Sequence, residues 1–377
     1  MGDVSEFSKE RVNTQNLSSD NYVATENMLQ DYQGIIEASS VPTNTNVIKF
    51  SKGDVLLSNI RPYLKKVWSA DKNGGCSADV FVFKALSACI PDFLHYIIAN
   101  DRFINFAMSG AKGVKMPRGD KEQMKTYKIG LPSITEQKKI AKLLSLLDER
   151  ISTQSKVIEK LQSLIRGIGD ELLYNKTWDK VYLKDIFTFY PTNSLSWDRL
   201  SNEKESGIRN LHYGMIHNLN SPILDIKAMP FIKTGYIPQK YELCQNADVA
   251  FADASEDTDE IAKVVEFRKI SNAEQAVCGL HTIHGRDIHD MTVVGFKGYV
   301  LNANYFHQQI KRMAQGTKVF SITASNISNC FVFLPSKDEQ KKIVSILDTI
   351  SLKIQAETEL LNLYKIEKQY LLRQMFI

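Results

Sequence analysis

The sequence predicts an α+β protein with two similar α/β globular units, each followed by a long helix. Three observations predict this fold class: a motif that occurs twice about half a chain apart, heptad patterns that follow both copies, and short β-branched segments that precede them. The two helices are expected to pair as an antiparallel coiled coil, giving a pseudo-twofold repeat. The predicted boundaries are residues 1–133 and 177–333 for the units, and 134–176 and 334–377 for the helices.

The repeated motif sets this architecture. Residues 131–151 read LPSITEQKKIAKLLSLLDERI, and residues 334–354 read LPSKDEQKKIVSILDTISLKI, at an offset of 203 residues. An offset this long excludes a short-period solenoid and indicates two copies of one large unit. The similarity extends upstream, because Gly113 and Lys115 recur at the same offset. The segments between these points differ, which is typical of one fold that recognises two different targets.

Each copy of the motif predicts the start of a heptad helix. Ser133 precedes Glu136 by three residues, and Ser336 precedes Glu339 likewise, which is capping-box spacing before an apolar run. The apolar positions then alternate in steps of four and three, as in a coiled-coil seam. The alternative is two surface helices packed on separate cores. The predicted seam includes Ile140, Leu147, Gln154 and Leu161 in the first helix and Ile343, Ile350, Glu357 and Tyr364 in the second.

The polar members of the two seams occupy matching positions. Gln154 and Glu357 lie near the middle of their heptad runs, again 203 residues apart. Mid-seam positions meet in an antiparallel pair, and a buried polar residue there would fix register and orientation at some cost in stability. We therefore expect these two side chains to face each other.

Short elements are predicted inside the globular units. Apolar, β-branched segments predict strands, and two longer amphipathic segments, residues 92–108 and 299–314, predict helices. The predicted strands are VIKF, DVLLSN and DVFVFKA in the first unit, and DVAFAD, KVVEF and DMTVVGF in the second.

Composition and missing motifs restrict the function. The net charge is +4, so contacts with nucleic acid would need local positive charge. The five cysteines form no CxxC pair and no apolar run approaches 18 residues, which predicts a reduced cytoplasmic protein without a membrane span. No phosphate-binding loop, dinucleotide-binding motif, G-x-S-x-G or H-E-x-x-H is present. We therefore predict no catalytic residue, no bound cofactor and no metal.

Two segments have alternative interpretations. Cys278, His281, His284 and His289 are close in sequence, but alternate residues of a strand point to opposite faces, so packed histidines are favoured over a metal site. The acidic stretch at residues 253–260 is compatible with a metal-dependent nuclease, a solvated loop or base recognition, because carboxylates accept hydrogen bonds from cytosine N4. The absence of a paired lysine at nuclease-like spacing argues against cleavage.

Basic residues cluster in loops at matched positions of the two units. Lys and Arg side chains anchor phosphates, while Arg, Asn and Ser side chains also read base edges. One such cluster is usually a solvated surface, but two in a duplicated frame favour DNA binding. The candidate contacts are Ser58, Asn59, Arg61, Lys65, Lys66, Lys112, Lys115 and Arg118 in the first unit, and Ser255, Glu256, Lys311 and Lys318 in the second.

The duplicated LPSxxEQKKI motif with its heptad helix resembles the DNA-specificity subunits of type I restriction–modification systems. GDVLLSNIRPYLKKVW, GGCSADV and FADASEDTDEIAKVVE are similar to segments of that family's target recognition domains. The resemblance covers nearly the whole chain. It implies that each globular unit is a target recognition domain that reads one half of a split site in double-stranded DNA. The helices would space the two domains and dock two methyltransferase subunits on their outer faces.

The resemblance also implies where the chemistry occurs. S-adenosylmethionine is expected on the methyltransferase subunits and not on this chain, and motor–endonuclease subunits would complete the restriction complex. Two alternatives stay open: a silent specificity subunit that acts only as an assembly scaffold, and a self-contained DNA-modifying enzyme.

The two units begin differently. The second opens with Trp178 and VYLKDIF, as this family often does, whereas the first starts at MGDVSEF without such a lead-in. The first unit is therefore expected to have lost its opening strand or to be supported from elsewhere.

Overall fold

The computed structural model describes residues 1–219, 221–271, 273–316 and 318–376. The chain forms two compact units, which are Met1–Ser155 with Glu359–Ile377, and Lys156–Thr358. Each of the two long helices therefore contributes one half to each unit. None of the described helices is both long and apolar enough to cross a membrane.

The described part of the first unit forms two four-stranded sheets beside short helices. Its strands are β1 (Ser5–Phe7), β2 (Arg11–Asn13), β3 (Tyr22–Val23), β4 (Asn46–Phe50), β5 (Val55–Ser58), β6 (Val67–Ser69), β7 (Gly74–Cys76) and β8 (Val80–Ala85). Its helices are α1 (Pro91–Ile98), α2 (Asp101–Ser109), α3 (Lys121–Lys125) and the start of α4 (Ile134–Leu172). One sheet has the antiparallel order β1-β8-β5-β6 and the other has the order β2-β4-β7-β3, with β3 parallel to β7.

The described part of the second unit has more strands. They are β9 (Asp179–Tyr182), β10 (Phe187–Tyr190), β11 (Leu200–Ser201), β12 (Ile208–Leu211), β13 (Ile223–Leu224), β14 (Phe231–Ile232), β15 (Val249–Ala252), β16 (Ala254–Ser255), β17 (Val264–Phe267), β18 (Gln275–Cys278), β19 (Thr282–Asp287), β20 (Phe320–Ser321) and β21 (Phe331–Leu334). The helices are α5 (Leu183–Ile186), α6 (Tyr213–Asn218), α7 (Phe296–Val300), α8 (Asn304–Met313), α9 (Ala324–Ser328) and α10 (Lys337–Met375).

Each unit has its own central sheet, and the strand order is the same in both. The order β10-β19-β15-β17-β13 in the second unit repeats β1-β8-β5-β6 of the first, with β13 added, and a further sheet has the order β11-β14-β12-β18. Strand β1 pairs with β8 as β10 pairs with β19, so the edge strand is present in both units. The lead-in of the second unit is β9, which pairs with β21. This ladder has no counterpart among the described residues of the first unit, where the Met1 amino group donates to the Tyr127 carbonyl at 2.5 Å.

Most of the short elements agree with the sequence, and three do not. VIKF, DVLLSN, DVFVFKA, DVAFAD and KVVEF lie in strands, but DMTVVGF was wrongly predicted as a strand and forms turns before α7. Its amides are occupied by side chains rather than a neighbouring strand: Thr292 donates to the Asp287 carboxylate and Val293 donates to Gln340 Oε1. The predicted helix at residues 92–108 is two helices, because Asn100 caps α2. The predicted helix at 299–314 is likewise divided between α7 and α8.

The long helices run antiparallel within each unit. In the first unit Asp148 pairs with Lys368, and Arg150 Nε donates to Tyr364 Oη at 3.0 Å, so positions rise along α4 as they fall along α10. In the second unit Ile165, Ile168 and Leu172 of α4 pack on the core that contains Ile343 and Leu347 of α10. The predicted seam positions are buried or half-buried throughout: Ile140, Leu147, Gln154, Leu161, Ile343, Ile350, Glu357 and Tyr364.

The predicted meeting of Gln154 and Glu357 concerns residues of different units. Gln154 lies in the first unit and Glu357 in the second, where it forms an ion pair with Lys353. That the two side chains face each other therefore stays a prediction.

A buried glutamine hydrogen-bonds the first turn of each long helix to the globular part of its unit. Ser133 and Ser336 accept the predicted capping hydrogen bonds from the amides of Glu136 and Glu339. One residue later, the Gln137 amide donates to the carbonyls of Ala88 (2.9 Å) and Pro132 (3.0 Å) and accepts from the Ile90 amide (3.0 Å). Gln340 makes the equivalent three bonds to Met291, Pro335 and Val293, all 203 residues further along. The EQ pair of the repeated motif thus has a structural role.

Replacing either buried glutamine with methionine should destabilise the unit that contains it. Gln137→Met or Gln340→Met leaves buried backbone groups without partners, which costs about 1–3 kcal/mol. The free energy of unfolding measured by urea denaturation should fall by that amount. Lys138→Met and Lys342→Met change exposed neighbours and should leave it unchanged. Equal stability of the glutamine and lysine variants would contradict this role.

Candidate nucleic-acid interface

Each unit carries a hairpin loop at the equivalent position. The hairpin loops are residues 112–118 and residues 315–321, of which Thr317 lies outside the described residues. Lys112 and Arg118 exchange two backbone hydrogen bonds of 2.9 Å, and Gln315 and Ser321 exchange bonds of 3.0 and 2.8 Å. These pairs are 203 residues apart, so the repeat extends to backbone pairing.

The glycine of each hairpin loop is required by the backbone. Gly113 has φ +99° and Gly316 has φ +131°, in the left-handed region that side chains disfavour. A Cβ at Gly316 would also lie 2.0 Å from the Val319 carbonyl oxygen. The repeated Gly-x-Lys pattern therefore marks a tight hairpin that presents a lysine, either Lys115 or Lys318, and both lysines are exposed.

Apolar side chains project from the same loops. Val114 is 101% exposed and Met116 is 56% exposed in the first loop, and Val319 is 54% exposed in the second. Sequence reasoning missed these residues, although they flank the predicted lysines. Exposed apolar side chains beside cations can wedge between base steps while the cations contact phosphates.

In the first unit the loop after β5 runs beside the hairpin loop. The Asn59 carbonyl accepts a hydrogen bond from the Gly119 amide at 3.3 Å. The Arg61 amide donates to the Pro117 carbonyl at 2.8 Å, and its guanidinium donates to the Lys115 carbonyl at 3.4 Å. Asn59 Oδ1 and Arg61 Nε are buried and have no hydrogen-bond partner among the described residues. The structure thus brings Asn59 and Arg61 onto the loop that carries Lys115.

The second unit repeats this arrangement with different side chains. The pairing of Ile60 with Arg118 in the first unit corresponds to that of Ala254 with Ser321 in the second, and Ser255 lies opposite Phe320. Ser255 is therefore beside the second hairpin loop, and Glu256 follows it in the chain.

Two carboxylates of the acidic stretch at residues 253–260 are paired with lysines. Asp259 forms an ion pair with Lys311, and Glu260 lies 2.8 Å from Lys263 Nζ. The hydrogen bond from Lys311 holds the pKa of Asp259 below its usual value, so this carboxylate is charged at neutral pH. Lys311 thereby reaches the same loop as Ser255 and Glu256.

Three of the predicted DNA-contact side chains already bind partners within the first unit. Ser58 is fully buried, and its hydroxyl donates to the Ile60 carbonyl at 3.0 Å. Lys65 pairs with Asp101 at 2.9 Å, and Lys66 donates to the Thr25 carbonyl at 2.7 Å. These three side chains support the loop after β5. Their direct contact with a ligand stays a prediction.

The two remaining basic residues lie at the base of the first hairpin loop. Lys112 Nζ is 3.1 Å from Asp120, and Arg118 Nη2 is 3.1 Å from Asp79. The Lys112 side chain is 83% exposed and that of Arg118 is 57% exposed. Exposed ion pairs of this kind contribute little to stability, so both cations are available to an anionic ligand.

An aromatic cluster near the second loop was not predicted. The ring centroids of Trp197 and His212 are 4.5 Å apart with the planes tilted by 31°, and those of Tyr213 and His281 are 5.2 Å apart. His281 Nδ1 is 3.0 Å from Asp253 Oδ1. Burial and the nearby His281 lower the pKa of His212, so its ring is neutral at neutral pH. The sequence offers little signal for this cluster, because its members come from distant segments.

The chain matches a described protein family over both units. Residues 1–163 and 175–365 match the type I restriction modification DNA specificity domain. The chain is 26% identical over 266 residues to the MjaVIII specificity subunit of Methanocaldococcus jannaschii, covering 65% of this chain and 60% of that protein. It is 24% identical over 125 residues to the EcoDI specificity subunit of Escherichia coli, covering 33% and 28%. The matches thus span less than two thirds of either relative.

Solved structures with similar folds cover almost the whole chain. A chain from a study of assembly and conformational transition in the type I R-M system has a TM-score of 0.58 at 20% identity, covering 99% of this chain and 95% of that one. The type I restriction–modification S subunit from M. genitalium has a TM-score of 0.58 at 15% identity, covering 100% and 94%. These similarities confirm the predicted fold class. Since the family match covers both units, the chain belongs to the type I restriction modification DNA specificity domain family.

Proposed function

We propose that the chain is the sequence-reading subunit of a type I restriction–modification complex. Each unit would bind one half of a split site in double-stranded DNA. The observation that carries this proposal is the pair of equivalent hairpin loops, each beside a loop that presents polar side chains. The names of the two relatives, both specificity subunits, support the same role.

The two loops differ in the side chains that would read bases. In the first unit Asn59 and Arg61 have buried polar atoms with no partner among the described residues, and such atoms require a hydrogen bond with a ligand or water. In the second unit Ser255 occupies the place of Arg61, and Glu256 follows it in the chain. A hydroxyl and a carboxylate, which accepts from cytosine, thus replace a guanidinium, which donates to guanine. The two halves of the site should therefore differ in sequence.

The cations of the hairpin loops would hold the DNA backbone. Lys115 and Lys318 occupy the same position in the two loops, and phosphate contacts fix the register of a protein on the duplex. The exposed Val114, Met116 and Val319 would then lie against a groove.

The chemistry is proposed to belong to other subunits. We infer that this chain is non-catalytic and that S-adenosylmethionine binds to two adenine methyltransferase subunits, with motor–endonuclease subunits completing the restriction complex. Exposed apolar side chains on the long helices support docking, because charged residues normally cover such surfaces. Leu143 on α4 and Ile346 on α10 are both 45% exposed and 203 residues apart. We assign the two methyltransferases to these matched positions.

Methylation mapping tests the function. The chain should be co-expressed with its methyltransferase, and modified adenines in host DNA mapped by single-molecule sequencing. The expected result is a split motif with one modified adenine in each half, on opposite strands. A contiguous motif would contradict reading by two units. A well-formed complex that modifies no motif would identify a silent subunit, and methylation by the isolated chain would identify a self-contained enzyme.

Neutralising a hairpin lysine should weaken binding to all DNA sequences. Lys115→Gln or Lys318→Gln removes one phosphate contact, so the slope of log affinity against log salt should become shallower by about one. Fluorescence anisotropy of the methyltransferase complex on labelled duplex measures this slope. Lys52→Gln changes an exposed lysine that precedes β5, at the opposite end of the strand from Asn59, and should leave the slope unaltered. An unchanged slope in both hairpin variants would exclude these contacts.

Changing Arg61 should alter recognition of one half-site alone. Arg61→Ala should weaken binding to the cognate duplex by about 1–3 kcal/mol, with relaxed preference in the half read by the first unit. The methylation map of this variant should keep the other half unchanged. Uniform weakening across all sequences would instead assign Arg61 to the phosphate backbone.

Each charged substitution on a long helix should prevent the binding of one methyltransferase subunit. Leu143→Glu and Ile346→Glu should each reduce the number of bound methyltransferases from two to one, and the double variant should bind none. Native mass spectrometry reads this number directly. Leu143→Met and Ile346→Leu keep the surface apolar and should retain both partners. Full assembly of the double Glu variant would place docking elsewhere.

A further inference from the structure

Three metal-binding side chains lie together inside the second unit. Cys244 belongs to the loop before β15, Cys278 ends β18, and His284 lies in β19. The Sγ atoms of Cys244 and Cys278 are 3.6 Å apart, and one ligand atom from each of the three residues lies within 4.8 Å of the others. All three residues are buried. This grouping is independent of the hairpin loops and of the proposed DNA contacts.

Only one of the two ring nitrogens of His284 makes a hydrogen bond within the part of the chain that the structure describes. Its Nε2 atom is 2.7 Å from Asp248 Oδ2, and the Asp248 carboxylate also accepts from the Arg286 guanidinium at 2.9 Å. A carboxylate held by a guanidinium acts as an acceptor, so Nε2 carries the ring proton. The Nδ1 atom then has a free lone pair. It is completely buried and has no hydrogen-bond partner among the described residues.

We propose that Cys244, Cys278 and His284 bind a thiophilic divalent transition-metal cation of the zinc class. Zinc–sulfur and zinc–nitrogen bonds of about 2.3 and 2.0 Å in tetrahedral geometry place ligand atoms about 3.5–3.8 Å apart. The observed separation of 3.6 Å between the sulfurs meets this requirement, and the histidine ligand atom lies within 4.8 Å of both sulfurs. Asp248 then has the position of the carboxylate that orients a metal-bound histidine.

The charges of the site favour a divalent ion. When the metal binds, the S–H bonds of the two cysteines break, two metal–sulfur bonds form, and two protons leave for solvent. Two thiolates neutralise a dication, and Arg286 lies between the carboxylates of Asp248 and Glu242 and pairs with both. The fourth position of a tetrahedral ion would be filled by a water molecule, and the apolar residues around the cysteines, including Leu211, Ala250 and Ala276, separate the site from bulk solvent.

The site would join the two larger sheets of the second unit. Strand β18 belongs to the sheet β11-β14-β12-β18, and β19 belongs to β10-β19-β15-β17-β13. The loop of Cys244 lies against β18, because the Cys244 amide donates to the Ala276 carbonyl at 2.8 Å. A bound cation would therefore cross-link both sheets, and its role is structural.

The proposal departs from the sequence prediction that the chain binds no metal. The sequence grouped Cys278 and His284 with His281 and His289, and the structure places those two histidines at the surface. It supplies Cys244 instead, a residue 34 positions before Cys278. Because Cys244 is far from Cys278 in the sequence, the sequence analysis did not identify the site.

Cobalt binding to the full-length chain tests the proposal. Co²⁺ alone is titrated into reduced protein, and the expected result is one ion per chain with thiolate charge-transfer bands and intense tetrahedral d–d absorption. Cys244→Ser and Cys278→Ser should lose these bands. Cys330→Ser changes another buried cysteine of the same unit and should keep them.

A second measurement keeps the test decisive if the serine variants fold poorly. Stoichiometric Zn²⁺ should displace Co²⁺ from the wild-type protein and raise its Tm, and a chelator should reverse both effects. Absence of stoichiometric Co²⁺ uptake by the reduced wild type would overturn the proposal. So would a 2 Da mass loss that maps to a Cys244–Cys278 disulfide in a protein that takes up no metal after reduction.

Discussion

The attachment of each long helix to its globular unit depends on one buried amide. Gln137 and Gln340 each make two hydrogen bonds to the segment about 50 residues earlier and a third to the proline that precedes the helix. Because the surrounding groups are buried, their hydrogen bonds must be made within the protein, so no other side chain of different length replaces the glutamine easily. The direction in which a helix leaves its unit is thereby fixed by chemistry that both copies share.

A conserved backbone frame with variable side chains supports the proposal that two similar units read different DNA. The hairpin loops are held by backbone hydrogen bonds and by a glycine in the left-handed region, which restrict few of the side chains. The loops beside them are held in the same way, through the pairing of Ile60 with Arg118 and of Ala254 with Ser321. Side chains at the tips can therefore change without loss of the fold, as the contrast between Arg61 and Ser255 illustrates.

The core of the second unit contains buried charged side chains that the sequence analysis did not predict. His284, Asp248 and Arg286 form a buried network, and Glu266 is buried beside Lys297 with Nζ 3.9 Å from its carboxylate. Burial raises the pKa of Glu266, against the opposing effect of Lys297. Such groups are stable only when every partner is in place, so they link strands that are distant in the chain. The proposed metal site belongs to the first of these networks.

The sequence by itself determined the elements whose causes are local. The 203-residue repeat, the serine caps, the heptad seams, most strands and the glycine of each hairpin depend on residues close together in the chain, so pattern and chemistry suffice to predict them. Tertiary structure alone decided which loops contact each other and which lysines are bound to partners within the protein. Asn59 reaches the first hairpin loop, while Lys65 and Lys66 are bound to Asp101 and Thr25. It also decided that DMTVVGF is a turn and that Cys244 joins Cys278, because the partner of the Val293 amide is the distant Gln340 and the partner of Cys278 comes from a distant loop.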